Sequence, residues 1–160
     1  MRRLLLASLF LVTVGGCSGP ATAAAPAAAP AVAVDAPPQA QVRFTADPRA
    51  VAGTRTYDLT GVAADGRCTP EAVSIRDDAA AQGELDGLYL TLGSTPVVEP
   101  SLNTTGAGWS YDTSYVTSDG KAGSATATAT VRDGRLEIVF DGRTWDGSTF
   151  SGTASCAVAP

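Results

Sequence analysis

The amino-acid sequence predicts an all-β domain, an antiparallel β-sandwich, that follows an N-terminal export segment. From residue 109 onward, apolar and aromatic residues alternate with Ser and Thr, which is the period of a half-buried strand. Three Asp-Gly pairs divide this region as hairpin turns would: Asp119-Gly120, Asp133-Gly134 and Asp146-Gly147. The resulting sheet has one apolar face, which a second layer must cover. A flattened β-barrel is the alternative architecture.

Residues 1–16 have the composition of a signal peptide. A positively charged Met1-Arg2-Arg3 precedes an uncharged apolar run that is too short to span a bilayer. The sequence Val14-Gly15-Gly16-Cys17 resembles the bacterial lipobox, which implies that the sulfur of Cys17 receives a diacylglycerol. We therefore expect an exported protein that is lipid-anchored at the outer face of the cell membrane. The alternative is an ordinary secretory signal cut near Ala23-Ala24-Ala25, which would discard Cys17.

The residues after the signal predict a linker and then one domain. Residues 18–40 are almost entirely Ala and Pro, and their prolines prevent a continuous helix. We expect the lipidated cysteine and a semi-extended linker over 17–40, and a β-domain over 41–160. A length of about 120 residues suits a single domain with a modest core.

Charge and composition exclude several classes of function. The net charge is −5, and removing Arg2 and Arg3 with the signal leaves −7 on the mature chain. A chain with a single lysine, Lys121, has no basic surface for nucleic acid. The absence of histidine excludes a Ser-His-Asp or Cys-His catalytic site. We expect no cofactor or metal and no enzymatic activity.

Two cysteines remain once Cys17 is assigned to lipid. In an exported domain of this size, Cys68 and Cys156 predict one disulfide bond across a separation of 88 residues. A redox-active pair is the alternative, although such pairs usually lie close together as Cys-x-x-Cys.

The three turns predict a four-stranded meander over residues 109–116, 123–131, 135–144 and 148–158. A two-residue loop at Asp133-Gly134, with three-residue loops at 118–120 and 145–147, places apolar residues of all four strands on one face. The predicted buried face holds Trp109, Tyr111, Ala127, Ala129, Ile138, Phe140, Ala154 and Cys156. The predicted exposed face holds Thr126, Thr128, Thr130 and Thr153. In the first half, the candidate strands are 41–46, 55–63, 72–76, 88–92 and 97–102, and residues 77–82 form a helical turn or a loop.

A family resemblance rests on the order of these motifs. The chain has Trp109-x-Tyr111-x-Thr113-x-Tyr115, then Gly123-x-Ala125-x-Ala127, and a last strand ending at Cys156. With the lipobox, the linker and Cys68 before an early strand, this order resembles the mycobacterial surface lipoprotein antigens of the nineteen-kilodalton type. The sequence departs from that pattern around Cys68 and over 77–106. The resemblance implies an envelope-anchored protein whose acyl groups are sensed by host receptors.

Few residues suggest a ligand site. Trp109, Tyr111, Tyr115 and Trp145 are candidates to line a groove, but the predicted register assigns the first three to the core. Trp145 lies at a turn and is predicted to be the best exposed aromatic residue, so it is the candidate ligand contact; the alternative is that it caps the end of the sandwich. A cluster of four acidic residues is either a calcium site or a solvated loop: Asp77, Asp78, Glu84 and Asp86. Asn103-Thr104-Thr105 matches the N-glycosylation pattern, which has little meaning in a bacterial export product.

The sequence thus predicts location and architecture more closely than activity. The leading hypothesis is a non-enzymatic envelope lipoprotein that acts as a surface binding module for a lipid, glycan or protein ligand. A carrier of an apolar ligand between the two sheets is the second hypothesis. An enzyme with a carboxylate-based site is the third.

Overall fold

The domain is built from two five-stranded antiparallel sheets packed face to face. The structure is a computed structural model that describes residues 36–46, 54–104 and 109–158, and over these ranges ten strands and no helix occur. It confirms the predicted β-sandwich, because neither sheet closes into a barrel. The strands are β1 (Gln39–Ala46), β2 (Arg55–Thr60), β3 (Val62–Cys68), β4 (Ala72–Arg76), β5 (Leu85–Thr91), β6 (Val97–Leu102), β7 (Trp109–Ser110), β8 (Ser124–Arg132), β9 (Arg135–Arg143) and β10 (Thr149–Ala157).

The strand order brings the first and last strands of the domain together. Sheet A has the order β2-β1-β10-β9-β8, and sheet B has the order β3-β4-β5-β6-β7. β1 therefore lies inside sheet A, paired with β2 on one side and with β10 on the other. In the described ranges no helix is long and apolar enough to cross a bilayer. The predicted signal segment and Cys17 lie outside these ranges.

The predicted register of β8, β9 and β10 is confirmed. Ala127 lies opposite Phe140, and Phe140 lies opposite Gly152, as the turn lengths require. Asp133 and Gly134 both have positive φ, 50° and 76°, which is the backbone of the two-residue type I′ turn. The four threonines assigned to the outer face are exposed: Thr126, Thr128, Thr130 and Thr153.

The prediction that residues 109–116 form the fourth strand of this meander is wrong. β7 contains only Trp109 and Ser110, and it pairs with β6 of sheet B. The antiparallel contact with β6 continues along the chain, where the N–H of Tyr111 donates to the carbonyl of Pro100 at 2.9 Å. The predicted hairpin is kept only near its turn, by the bridge of Val116 with Ala122 and by the Thr117 N–H, which donates to the Lys121 carbonyl at 2.8 Å. The segment therefore carries the chain from sheet B to sheet A instead of extending sheet A.

This correction also changes which residues are buried. Tyr111 is in the core as predicted, but Trp109 is 43% exposed and Tyr115 is 52% exposed. β8 is an edge strand of sheet A, with β9 on one side and no strand of the sheet on the other. The predicted core residue Ala127 is therefore half-buried, and Ala129 is exposed. The remaining predicted core residues of sheet A are buried: Ile138, Phe140, Ala154 and Cys156.

The disulfide between Cys68 and Cys156 is present, with Cα atoms 6.1 Å apart. It joins β3 of sheet B to β10 of sheet A, and both cysteines are buried. The predicted disulfide is confirmed, and it links the two layers of the sandwich.

The two sheets cross at a steep angle, as in an orthogonal sandwich. Across sheet B, one row of paired residues leads from Cys68 through β4 and β5 to β6, and the Val98 N–H of β6 donates to Thr113 Oγ1. These four strand spacings cover about 19 Å. Cys68 is bonded to Cys156 near the end of β10, whereas Thr113 touches Gly142, which lies opposite Phe150 near its start. Six residues of β10 also span about 20 Å, so the two ends of the sheet B row lie over the two ends of β10. The row, which is perpendicular to the strands of sheet B, is therefore parallel to the strands of sheet A.

The first half of the domain differs from the prediction in its boundaries. The predicted strand 55–63 is two strands, because the chain turns at Gly61, where a Cβ atom would overlap the carbonyl of Arg76. β1 begins at Gln39 and β5 begins at Leu85, both earlier than predicted. Residues 77–82 contain turns and no helix.

Arg135 fixes the point where the described chain enters the domain. Its side chain is buried and donates to the carbonyl oxygens of Ala36 at 2.8 Å and Pro37 at 3.4 Å. It also donates twice to Ser155 Oγ, at 3.0 and 3.1 Å. The residues before β1 are thus tied to the β8–β9 turn. We call this side of the domain the entry end.

Candidate ligand-binding site

Two loops of sheet A share one local design. Both read Thr-x-Asp-Gly-x: Thr117-Ser118-Asp119-Gly120-Lys121 and Thr144-Trp145-Asp146-Gly147-Ser148. In each loop, the threonine hydroxyl donates to the aspartate carboxylate, and the threonine N–H bonds the carbonyl four residues later. The glycines have φ of 82° and 92°, the left-handed position of a three-residue hairpin loop. Both three-residue loops were predicted from the sequence, but their shared side-chain bonding was not.

The two loops meet through a pair of exposed aromatic rings. Tyr115 precedes the first loop and Trp145 lies in the second, and their ring centroids are 6.0 Å apart with an interplanar angle of 48°. Trp145 is 40% exposed and therefore accessible, but the prediction that it is the best exposed aromatic residue is wrong, because Tyr115 is 52% and Trp109 is 43% exposed. Contact between tilted rings at this distance is favourable, and it holds both side chains in place. We call this pair the aromatic site.

The aromatic site lies at the opposite end of sheet A from the entry end. Gln39, the first residue of β1, pairs with Ser155 near Arg135. Ala46, the last residue of β1, pairs with Thr149, which directly follows the Trp145 loop. The eight residues of β1 therefore separate the two ends by about 24 Å.

The charges beside the aromatic site are fixed by the first loop. The Thr117 hydroxyl and then Lys121 hold the pKa of Asp119 below its usual value. The Lys121 ammonium lies 3.0 Å from Asp119 Oδ2. The Asp119 side chain is exposed, and its lowered pKa leaves it an ionised, loop-stabilising acceptor at neutral pH, which does not suit the general acid of an enzyme.

The acidic group proposed as a calcium site is divided among separate contacts. Asp77 accepts the N–H of Ala79, Asp86 accepts the hydroxyl of Ser101, and Asp78 lies 3.9 Å from the guanidinium of Arg76. Within the described ranges, no three Cys, Asp or Glu side chains are placed to hold a metal ion. The amide of Asn103 donates to the Ala80 carbonyl at 2.6 Å and so orders this loop.

Sequence reasoning missed a second surface, the outer face of sheet A. That face was predicted to be polar and solvated, but it also carries two open cavities of about 550 and 390 Å³. The larger cavity crosses β2, β1, β10 and β9 on the half of the face nearer the entry end. Sequence alternation identifies the residues of this face, but it carries no signal for the curvature of the sheet.

Comparisons with known proteins add no further assignment to these surfaces. Searches against protein-family models, curated proteins and solved structures find no match to this chain. The site is therefore interpreted from its own geometry.

Proposed function

We propose that this protein is a lipid-anchored envelope protein that acts as a non-enzymatic binding module and contacts its ligand through the aromatic site. The observation that carries the proposal is the exposed Tyr115–Trp145 pair held on two matching loops. Large, rigid aromatic side chains are the usual anchors of binding surfaces, because they bury much area at little conformational cost. The two loops lie on a disulfide-bonded β-sandwich, which keeps them in position.

The placement of the aromatic site suits a tethered module. The chain from the expected anchor at Cys17 enters the domain at Arg135, and the aromatic site is about 24 Å away at the far end of β1. An Ala/Pro-rich linker after a lipidated cysteine would present that far end to the surroundings of the cell.

The other two functional hypotheses have less support. An apolar carrier needs space between the sheets, but large side chains fill the interior, with the Phe44 ring 4.5 Å from Tyr111 and 5.4 Å from Phe150. An enzyme with a carboxylate site needs two acids that face one another across a cleft. The larger cavity on sheet A contains two carboxylates, Asp58 and Glu137, but Asp58 is engaged by the amide of Gln41 at 2.8 Å.

The anchor and the binding site are tested separately. In the producing cells, Cys17→Ser is expected to release the protein from the membrane fraction or leave it unprocessed. Full-length protein is then incubated with isolated, delipidated envelope material, and the fraction that sediments is measured. Trp145→Ala is expected to weaken this binding about tenfold, which corresponds to the loss of a moderate hot spot.

Trp109→Ala is the matched control, because Trp109 has nearly the same exposure and lies on sheet B. It is expected to leave binding within about twofold. Equal binding by the Trp145→Ala variant and the wild-type protein contradicts the assignment of the aromatic site. A Cys17→Ser variant that is processed and membrane-bound like the wild type contradicts the anchor.

A further inference from the structure

The larger cavity on the outer face of sheet A has the shape of an open groove. Its volume is about 550 Å³, and it crosses four adjacent strands, a width of about 14 Å. One row of paired residues runs across its floor: Asp58, Gln41, Thr153 and Val139. A second row, nearer the entry end, comprises Thr60, Gln39, Ser155 and Glu137. The groove is separate from the aromatic site, since neither Tyr115 nor Trp145 lines it.

The groove offers both hydrogen-bond donors and acceptors to a ligand. Amides, hydroxyls and carboxylates alternate over its surface, so one polyhydroxylated molecule would find partners of both kinds. Within the described part of the chain, four of these side chains make no hydrogen bond or ion pair: Gln39, Thr60, Glu137 and Thr153. Val139 is 61% exposed among them and supplies an apolar contact for the C–H face of a sugar ring.

The charge of the groove disfavours anionic ligands. The charged residues that line it are Asp58 and Glu137. The Arg135 guanidinium donates to Ser155 Oγ behind the groove, but it is buried and also bonded to backbone carbonyl oxygens. A phosphate, sulfate or uronate would meet like charge there. The expected mature charge of −7 adds to this repulsion.

The position of the groove disfavours the other common ligands of a β-sheet. Extended peptides add to a sheet at its edge, where backbone groups are free, but β1, β10 and β9 each pair on both sides. An acyl chain requires an enclosed apolar cavity, but this groove is open to solvent, and amide, hydroxyl or carboxylate groups lie on the side chains that project into it, except for Val139. A metal ion is disfavoured because the described residues place no group of three ligands together.

We propose that the outer face of sheet A is a saccharide-binding groove, specific for an uncharged glycan chain that lies across β2, β1, β10 and β9. Amide and carboxylate groups of the groove bind sugar hydroxyls, and Val139 contacts the ring face. The groove is independent of the aromatic site, so its test does not depend on the ligand proposed above.

The test is a titration of the full-length protein with defined oligosaccharides, monitored by amide NMR shifts and calorimetry. The protein is kept in a detergent without a sugar headgroup. The probes are uncharged hexasaccharides of glucose, mannose, galactose and N-acetylglucosamine, with a sulfated hexasaccharide and a Lys-rich peptide as comparisons. At least one uncharged hexasaccharide is expected to bind and to shift the amides of Thr153 and Val139.

The deciding variants are Thr153→Arg and its matched control Thr128→Arg. Both threonines are exposed on the same face and lie in the same row, on either side of Val139, but only Thr153 lines the groove. Thr153→Arg fills the groove and is expected to weaken saccharide binding by about tenfold or more, whereas Thr128→Arg changes it by less than about twofold. If Thr153→Arg disturbs the fold, Val139→Glu takes its place, since Val139 is exposed in the same groove.

Several results overturn the proposal. These are the absence of binding by every uncharged hexasaccharide at millimolar concentration, equal losses from Thr153→Arg and Thr128→Arg, and preferential binding of the sulfated probe or the peptide. Shifts confined to Tyr115 and Trp145 would also overturn it, because they would place the saccharide at the aromatic site instead.

Discussion

Removal of the disulfide is the perturbation whose effect on stability follows most directly from the structure. Cys68 and Cys156 join the two sheets, and both are buried. We consider Cys68→Ala/Cys156→Ala in a Cys17→Ser background, where no third thiol remains to form a wrong pair. The double variant keeps the strand register, because both positions retain a small apolar side chain on the inner face.

The size of the effect comes from the separation of the two cysteines. A cross-link over 88 residues removes loop-closure entropy from the unfolded chain worth about 4–5 kcal/mol at 25 °C. Loss of the two buried sulfur atoms adds a smaller packing cost. Because domains of this size are typically stable by about 5–15 kcal/mol, the variant is expected to be folded only marginally at 25 °C.

The assay is urea unfolding of both proteins, monitored by tryptophan fluorescence and circular dichroism. The free energy of unfolding is expected to fall by at least about 3 kcal/mol, and the denaturant slope is expected to rise because the unfolded chain expands. Reduction of the Cys17→Ser protein provides the control, since it opens the same bond without changing a core residue. A decrease below about 1 kcal/mol, with the slope unchanged, would refute the reasoning.

Two further predictions concern local geometry. Gly152→Ala is expected to lower the free energy of unfolding by about 1–3 kcal/mol in urea, because a Cβ there would overlap the Gln41 carbonyl. Gly93→Ala, which meets nothing within 4 Å, should change it by less than about 0.5 kcal/mol, and equal effects would contradict the close approach. Thr117→Val is expected to raise the pKa of Asp119 in an NMR pH titration, because it removes the Thr117 hydroxyl, whose hydrogen bond is the main reason that this pKa is low. Because the pKa of Asp119 is lowered in the folded state, ionised Asp119 stabilises the loop at neutral pH, and this stabilisation is lost as the pH falls through that pKa. The same pKa for Asp119 in the variant and the wild type would contradict the role of Thr117.

The last three strands of sheet A were predictable because their turns allow one register. A two-residue Asp133-Gly134 loop places Ala127 opposite Phe140, and a loop one residue longer or shorter would turn a strand over. The disulfide was predictable for a different reason, since a domain with two cysteines offers one pairing.

The path of residues 109–116 was not predictable. The alternation of apolar and polar residues indicates which side chains point inward, but it does not indicate which of the two sheets the segment joins. Tyr111 is buried in either arrangement, so its burial does not distinguish pairing with β8 from pairing with β6. The location of β1 between β2 and β10 is likewise a long-range pairing with no local signal. The aromatic site was found only in part, since Tyr115 was assigned to the core and is exposed because its segment does not pair as a strand of sheet A.

The contact of Arg135 with Ala36 and Pro37 determines how the domain would respond to tension on the linker. A pull on the linker loads β1 along its length, and its hydrogen bonds to β2 and β10 lie perpendicular to that direction. These bonds therefore share the load in shear on both sides of the strand, whereas an edge hairpin would open one bond at a time. Under the proposed function, a ligand at the aromatic site would pull against the other end of the same strands. Tension between the proposed anchor and that ligand would then load the domain in its mechanically resistant direction.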